Sequence, residues 1–343
     1  MLTLQDFDFE LPKELIAFYP TPKRGDAKLL VLNRATRQTE HRIFNELPDF
    51  LKKGDLLVLN DTKVFPARLF GVRPTGGKVE ALLLKQMEEG VWEFLVKPSG
   101  RIKKGTCLTF GENGLRLEGE ILDEPRGENG IRKIRFSSEG LREKLAYIGK
   151  IPLPPYIERP SEEIDRELYQ TVFADKEGAV ASPTAGLHFD EELLEKLRNQ
   201  GIEICFVTLH VSYGTFQPVQ TEDLSKHEIY EEEFEIGKKA AEQINRALIK
   251  KRRVIACGTT VVRTLESIGK NFVPQKGKTR LFIRPPYPFQ VVDAMITNFH
   301  IPKTTLLMLV SAFAGHDLVF RAYQEAIRKR CRFYSYGDAM IIL

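Results

Sequence analysis

The chain has 343 residues, 42% of them hydrophobic, and 51 Lys plus Arg against 47 Asp plus Glu give a formal charge of +4. That supplies core material for one large or two ordinary domains, and the mild positive balance permits a nucleic-acid partner without demanding one. No apolar run approaches the ~20 residues needed to cross a bilayer, the acidic start MLTLQDFDFE lacks the basic flank of a signal peptide, and Cys107, Cys205, Cys257 and Cys331 form no CxxC pair, so a membrane span, a secreted disulfide framework and a zinc knuckle are excluded. A cytoplasmic address is the expectation.

Residues 29–33 and 56–60 both read LLVLN, apolar runs of strand length, and two buried strands are predicted there. From 67 to 136 come six short runs, ARLFGV, KVEALLLK, VWEFLV, TCLTF, LRLEGEIL and IRKIRF, broken by Gly, Pro or Asn about every ten residues, the spacing of a small antiparallel barrel or sandwich. Between Pro66 and Pro152 lie 16 Lys plus Arg and 12 Asp plus Glu, so the rest of the chain is balanced and the net charge belongs to this segment. Residues 141–148 predict one short helix, and prolines at 152, 154, 155 and 160 a stiff extended strap suited to a domain border.

Beyond the strap, helices alternate with strands. Asp190 is a good N-cap for a helix over 191–200, whose Leu193, Leu194 and Leu197 share a face and which Gly201 ends. A strand over 202–211, a helix over 238–251, a strand over 253–257 and a helix over 259–268 follow. Strands over 279–283 and 291–297, a buried helix over 304–314 and an amphipathic helix over 317–330 complete the series. The alternation argues for an α/β layer. The expected architecture is an α/β main domain, residues 1–65 together with 153–343, into which a small antiparallel β-barrel domain, 66–152, is inserted. The chain contains no internal repeat and no low-complexity tract.

Polar residues crowd the junctions between these elements. In AVASPTAGLHFD (179–190), Pro183 and Gly186 set a sharp turn, so Thr184, His188 and the first amides of the next helix converge on one small volume; a plain capped helix with a surface histidine is the competing reading. Cys257-Gly258-Thr259-Thr260 opens a helix as an anion cradle, with Arg263 one turn on; ordinary capping is the competing reading. Asn60-Asp61-Thr62 ends a strand, either facing a shared crevice or closing an Asx-turn. Asn298-Phe299-His300 ends another, where Asn298 and His300 suit a base edge or proton transfer and Phe299 suits stacking, against a buried, satisfied histidine. No HxH or HxxxH spacing joins His188, His210, His227 and His300, so no metal is expected. The terminal RKRCRFYSY (328–336) interleaves cations with rings, the composition of an RNA-facing strip, unless it is a helix end followed by a core strand.

Seven strings carry a resemblance: GDLLVLNDTKVFPARL (54–69), GKIPLPPYIER (149–159), AVASPTAGLHFD, TLHVSYGTFQPV (208–219), CGTTVVRTLES (257–267), VVDAMITNFHIPKTTLLMLVSAFAG (291–315) and YSYGD (334–338), together with the segment Lys226-His227-Glu228. In this order and over nearly the whole chain they resemble the S-adenosylmethionine:tRNA ribosyltransferase-isomerases of queuosine biosynthesis. Ser212 and Pro286 depart from the glycines usual in that family. The resemblance implies an enzyme that uses S-adenosylmethionine as ribosyl-donor substrate, with no true cofactor. Its partner would be tRNA bearing 7-aminomethyl-7-deazaguanine at the wobble position, and the products epoxyqueuosine-tRNA, adenine and methionine. A monomer is expected.

Such a reaction needs a base for the proton beside the sulfonium, assistance for departing adenine, and a dry pocket. His188 or His210 is the expected base, since imidazole titrates nearest working pH. His300 is a further candidate for proton transfer. Asp190 or Asp293 would assist adenine, and Phe189, Phe216 or Phe299 would face the sulfonium. The other expected substrate contacts in the matching strings are Arg68, Gly214, Thr215, His227, Glu228, Tyr336 and Asp338. The rival classes are a noncatalytic RNA-binding protein and a methyltransferase, the latter disfavoured because no strand leads into a GxGxG-type loop.

Overall fold

The computed structural model describes residues 2–111, 114–126, 130–137, 140–213, 219 and 221–343. The chain opens with β1 (Lys28–Asn33), β2 (Gln38–Ile43), β3 (Leu56–Asn60) and β4 (Thr62–Val64), the two LLVLN runs becoming β1 and β3. All six runs between 67 and 136 are strands: β5 (Arg68–Val72), β6 (Lys78–Glu88), β7 (Val91–Lys97), β8 (Cys107–Phe110), β9 (Leu117–Ile121) and β10 (Arg132–Phe136). They close into an antiparallel barrel in the order β10-β7-β6-β5-β8-β9. Alternation makes the closure possible: along β9, Leu117, Gly119 and Ile121 are buried while Glu118 and Glu120 face out. A Cβ on Gly119 would lie 2.5 Å from Ile134 Cδ1, so the barrel interior leaves no room for a side chain there.

After the barrel come α1 (Leu141–Ile148), α2 (Asp165–Leu168), β11 (Lys176–Ala179), α3 (Glu191–Asn199), β12 (Glu203–Leu209), β13 (Glu232–Ile236), α4 (Lys238–Ile249), β14 (Val254–Cys257), α5 (Thr259–Ile268), β15 (Gln275–Thr279), β16 (Ala294–Asn298), α6 (Thr305–Ala314), α7 (His316–Arg328) and β17 (Ala339–Ile342). Nine strands form the main sheet, ordered β15-β13-β12-β3-β14-β16-β17-β1-β2. Its centre is parallel, β12 beside β3 beside β14 beside β16. The first long strand, β1, pairs in parallel with the last, β17, so strands from both sides of the barrel segment share one sheet. The molecule is thus an α/β layer carrying an inserted barrel.

The central strands are apolar throughout because both sheet faces are covered. Leu56, Val58, Val254 and Ala256 face a core shared with α4, α5, α6 and α7. Leu57, Leu59, Ile255 and Cys257 face the opposite core, which Phe44, Leu47 and the leucine face of α3 complete. Each leucine so buried contributes roughly 2 kcal/mol. Thr304 caps the apolar α6 by accepting from Leu307 N (3.3 Å), and Gly315, at φ 94°, turns the chain sharply into α7. No single helix among the described residues is long and apolar enough to cross a membrane.

Three sequence expectations shift. The strand placed at 279–283 is instead β15, because polar Gln275–Thr279 forms the sheet's edge against β13. Leu281 leaves the ladder, its N–H on Thr279 Oγ1 and its carbonyl on Arg263 Nε, and Ile283 turns into the core. The strand expected from 291 starts at Ala294, since the Glu266 carboxylate takes the N–H groups of Gln290, Val291 and Val292 at 2.9 to 3.0 Å. The terminal basic and aromatic run is no RNA-facing strip: Phe333, Tyr334 and Tyr336 are buried. Tyr336 donates its hydroxyl to Asp165, which also holds Arg159 of the proline strap through two bonds of 2.7 and 2.8 Å.

Candidate functional site

The parallel strands β12, β3, β14 and β16 are neighbours, so their C-terminal ends deliver four of the polar strings to one edge of the sheet: His210 after β12, Asn60-Asp61-Thr62 at the end of β3, Gly258-Thr259-Thr260 after β14, and Asn298-Phe299-His300 at the end of β16. In open α/β sheets this edge is where ligands bind. A crevice of about 40 Å³ opens there, lined by Ser182, Pro183, Thr184, Gly258, Thr259, Thr260, Asn298, His300, Tyr334 and Ser335 among others. Pro183 is the N-cap and Thr184 the first residue of a short 3-10 helix, Thr184–His188. Gly258, at φ 93°, makes the left-handed turn that aims the first amides of α5 at the crevice.

Most polar side chains of this edge hold one another. Asn60 donates to Leu209 O and accepts from Leu209 N, 3.0 Å each, and also takes the Thr62 N–H at 3.2 Å. Asn298 Nδ2 donates to Tyr334 O (2.8 Å) and Ser335 O (3.2 Å), so its Oδ1 accepts from His188 Nε2 (3.2 Å). His300 Nε2 lies 2.9 Å from Thr297 Oγ1, and its backbone N–H donates to Tyr323. Burial lowers His188 to about 4 and His300 to about 3, so both imidazoles are neutral at physiological pH. Asp61 accepts from Thr208 Oγ1 at 2.6 Å, and burial raises its pKa.

A second space lies between barrel and sheet. It encloses about 550 Å³, the size of a ligand pocket. The barrel side supplies Phe65, Lys85, Trp92 and, from α1, Arg142; the sheet side supplies Glu177, Gly178, His210, Val211, Ser212 and the run Glu231 to Glu233. Val211 borders both the crevice and this cavity. His210 is half-buried, which lowers its pKa, and Thr62 Oγ1 holds its Nδ1 at 2.8 Å. Gly178 packs flat on that ring: a Cβ there would sit 2.7 Å from His210 Cε1, and its φ of 157° suits glycine. Trp92 Nε1 and Ser212 Oγ are buried without a hydrogen-bond partner among the described residues.

The remaining expected residues separate into those at the site and those elsewhere. Gly186 is buried behind the crevice against Phe173 and Thr171. Asp190 caps α3, accepting from Leu193 N at 2.8 Å, beside Asn45 on another surface. Asp293 precedes β16, at the far end of that strand from Asn298, and accepts from Val254 N at 2.8 Å. Phe189 and Phe299 are fully buried in the two cores and line neither the crevice nor the cavity. Arg68 pairs with Glu80 inside the barrel and ties the barrel to Leu153 O of the strap. Arg263 is buried on Glu232. Tyr336 and Asp338 are buried and bonded to protein groups, Tyr336 to Asp165 and Asp338 accepting from Lys28 N (3.0 Å) and Arg332 N (2.7 Å). His227 meets Phe282 edge-on, and neither it nor exposed Glu228 lines the crevice or the cavity. Gly214, Thr215 and Phe216 lie outside the described residues.

Sequence reasoning missed Trp92, Arg142 and Glu177. The chain's only tryptophan was the one available signal. Among the described residues no three His, Cys, Asp or Glu side chains gather as a metal site.

Comparison with known proteins bears out the resemblance. The family model described as "Queuosine biosynthesis protein" matches residues 4–342. Relatives named S-adenosylmethionine:tRNA ribosyltransferase-isomerase include that of Sulfurihydrogenibium sp. (strain YO3AOP1), 51% identical over 343 residues and all of both chains. That of Carboxydothermus hydrogenoformans is 51% identical over 345 residues, again covering both chains in full. A crystal structure of S-adenosylmethionine tRNA ribosyltransferase from Thermotoga maritima matches 98% of this chain and 100% of its own, with a TM-score of 0.55 and 39% identity. The chain belongs to the queuosine biosynthesis protein family.

Proposed function

We propose that the chain is an S-adenosylmethionine:tRNA ribosyltransferase-isomerase. It transfers the ribosyl moiety of S-adenosylmethionine onto 7-aminomethyl-7-deazaguanine at the wobble position of tRNA and isomerises it, giving epoxyqueuosine-tRNA with release of adenine and methionine. S-adenosylmethionine is consumed as a substrate, so no separate cofactor is required. The single observation that carries this reading is His210, positioned by Thr62 and Gly178 on the wall of the large cavity and next in the chain to Val211, which borders the crevice as well.

The residues divide the chemistry between the two spaces. At about 40 Å³ the crevice takes a terminal group, and the α5 amides with Thr259 and Thr260 suit the donor's carboxylate. The rest of the donor extends past Val211 into the larger cavity. His210 takes the acidified proton beside the sulfonium, because it alone of the three candidate histidines lines the large cavity. Thr62 Oγ1, able to accept from Nδ1, leaves Nε2 for that proton. His188 and His300 hold the crevice wall as neutral groups. The barrel segment's excess of cations suits the phosphates of the anticodon arm.

The test incubates the full chain with S-adenosylmethionine and tRNA bearing the aminomethyl-deazaguanine, followed by chromatography and mass spectrometry. Free adenine appearing with a heavier wobble nucleoside is the expected result. S-adenosylhomocysteine instead of adenine would make the protein a methyltransferase, and salt-sensitive RNA binding without adenine would make it a binding module.

A further inference from the structure

Resting on that reaction, we propose that the barrel side of the large cavity is the receptor for the acceptor base, with Trp92 against the heterocycle, Glu177 on its aminomethyl cation and Arg142 on a neighbouring phosphate. The charges lining the cavity single these groups out. Five carboxylates and three cations line it, and most neutralise one another or an outer partner. Glu233 pairs with Lys85, Glu231 with Arg280 and Lys278, Glu232 with Arg263, and Glu93 with Arg126. Among the described residues, that leaves Glu177 and Arg142 as the lining charges without an ion pair.

These two lie on different walls. Glu177 is on β11, beside Gly178 and so beside the His210 ring, whereas Arg142 is exposed on α1, which packs on the barrel. Trp92 lines the same wall as Arg142, tilted at 43° to Phe65 with 5.4 Å between ring centroids, and its Nε1–H has no acceptor among the described residues. An aromatic platform with an unsatisfied donor, one free anion and one free cation form a three-point receptor. They match a flat heterocycle that carries a primary ammonium and is joined to phosphate. The donor carries a ring, a sulfonium and an α-ammonium but no phosphate, and its amino-acid end is already served by the crevice. The seam between barrel and sheet also gives a base swung out of an anticodon loop a way in from the surface.

Trp92 is the chain's only tryptophan, so its fluorescence reports on this wall without any turnover. The experiment titrates the full chain, without S-adenosylmethionine, with anticodon stem-loop RNAs bearing the aminomethyl base or the same base with a neutral nitrile arm. Expected are a fluorescence change with the aminomethyl RNA, weaker binding of the nitrile RNA by roughly fivefold, and loss of that preference in Glu177→Gln. Equal binding of the two RNAs by the unsubstituted chain overturns the assignment of Glu177. A fluorescence change with S-adenosylmethionine alone, and none with either RNA, gives the cavity to the donor and overturns the receptor. No change with any ligand, in protein that still releases adenine, overturns it as well. Failure to release adenine from the aminomethyl tRNA would instead refute the reaction itself, which keeps the two readings separable.

Discussion

The crevice at the strand ends and the cavity at the barrel seam adjoin across one residue, Val211, yet they differ in how much they leave open, Ser182 Oγ being the buried crevice atom without a partner among the described residues. Around the crevice Asn60, Asn298, His188 and His300 are buried and already bonded to protein groups. Around the cavity His210 is half-open, and among the described residues Glu177 and Arg142 have no ion pair and Trp92 Nε1 has no acceptor. Buried polar groups must be satisfied by their own protein, whereas groups meant for a ligand stay unsatisfied until it arrives. The density of polar residues in a motif therefore marks where a site is framed, and the unspent ones mark where the ligand goes.

His210 gives the largest expected effect. His210→Ala is expected to lower turnover by about 10²- to 10⁴-fold while RNA binding and stability hold. The pH profile sharpens this. Burial sets the His210 pKa below the ordinary value of about 6.5. As the base it must be neutral, so kcat/KM is expected to fall with decreasing pH only below that value. Near-normal turnover of His210→Ala in single-turnover assays would move the chemistry away from the seam and end the contrast between the two regions.

Acid is the next way to break it. His188 and His300 have folded-state pKa values of about 4 and about 3, below the unfolded value of about 6.5, so the unfolded chain binds the extra protons. Their contribution to stability is complete above pH 6.5 and declines as pH falls toward the folded values. By pH 5 each costs about 2 kcal/mol. Urea unfolding at pH 7 and pH 5 measures the loss, and the double variant His188→Gln, His300→Gln is expected to lose about 4 kcal/mol less than the parent over that interval. An equal loss in parent and variant would mean that the two rings are not sealed.

These contrasts explain what the sequence could reveal. The barrel was legible strand by strand because its alternation is local, and α5 was legible to the residue because glycines stand at both of its ends. β15 was misplaced because edge strands are polar and the apolar run beside it serves the core. The site's location was legible for a similar reason: polar strings at the ends of successive buried strands must share an edge. The roles were not. Phe299 and Asn298 are adjacent where β16 ends, and one enters the core while the other stays at the crevice. Glu177 and Arg142 come together only when barrel and sheet meet, and no local pattern encodes that meeting.

Asp190 gives the smallest effect and decides between sequence and structure most directly. By its place in the polar string it belongs with departing adenine; by geometry it caps α3 at 2.8 Å and faces Asn45. An N-cap is worth about 1 kcal/mol, and Asn serves nearly as well as Asp. Asp190→Ala is therefore expected to lower stability by about 1 kcal/mol in urea, and Asp190→Asn to recover most of it. A catalytic carboxylate predicts no such ordering in turnover, because Asn removes the charge as completely as Ala does and both substitutions would release adenine well below the parent rate. If turnover well below the melting temperature follows the charge, the crevice extends past His188 to α3; if it is unchanged while stability follows the cap, the polar string ends functionally at Thr184 and the remainder of it builds the frame.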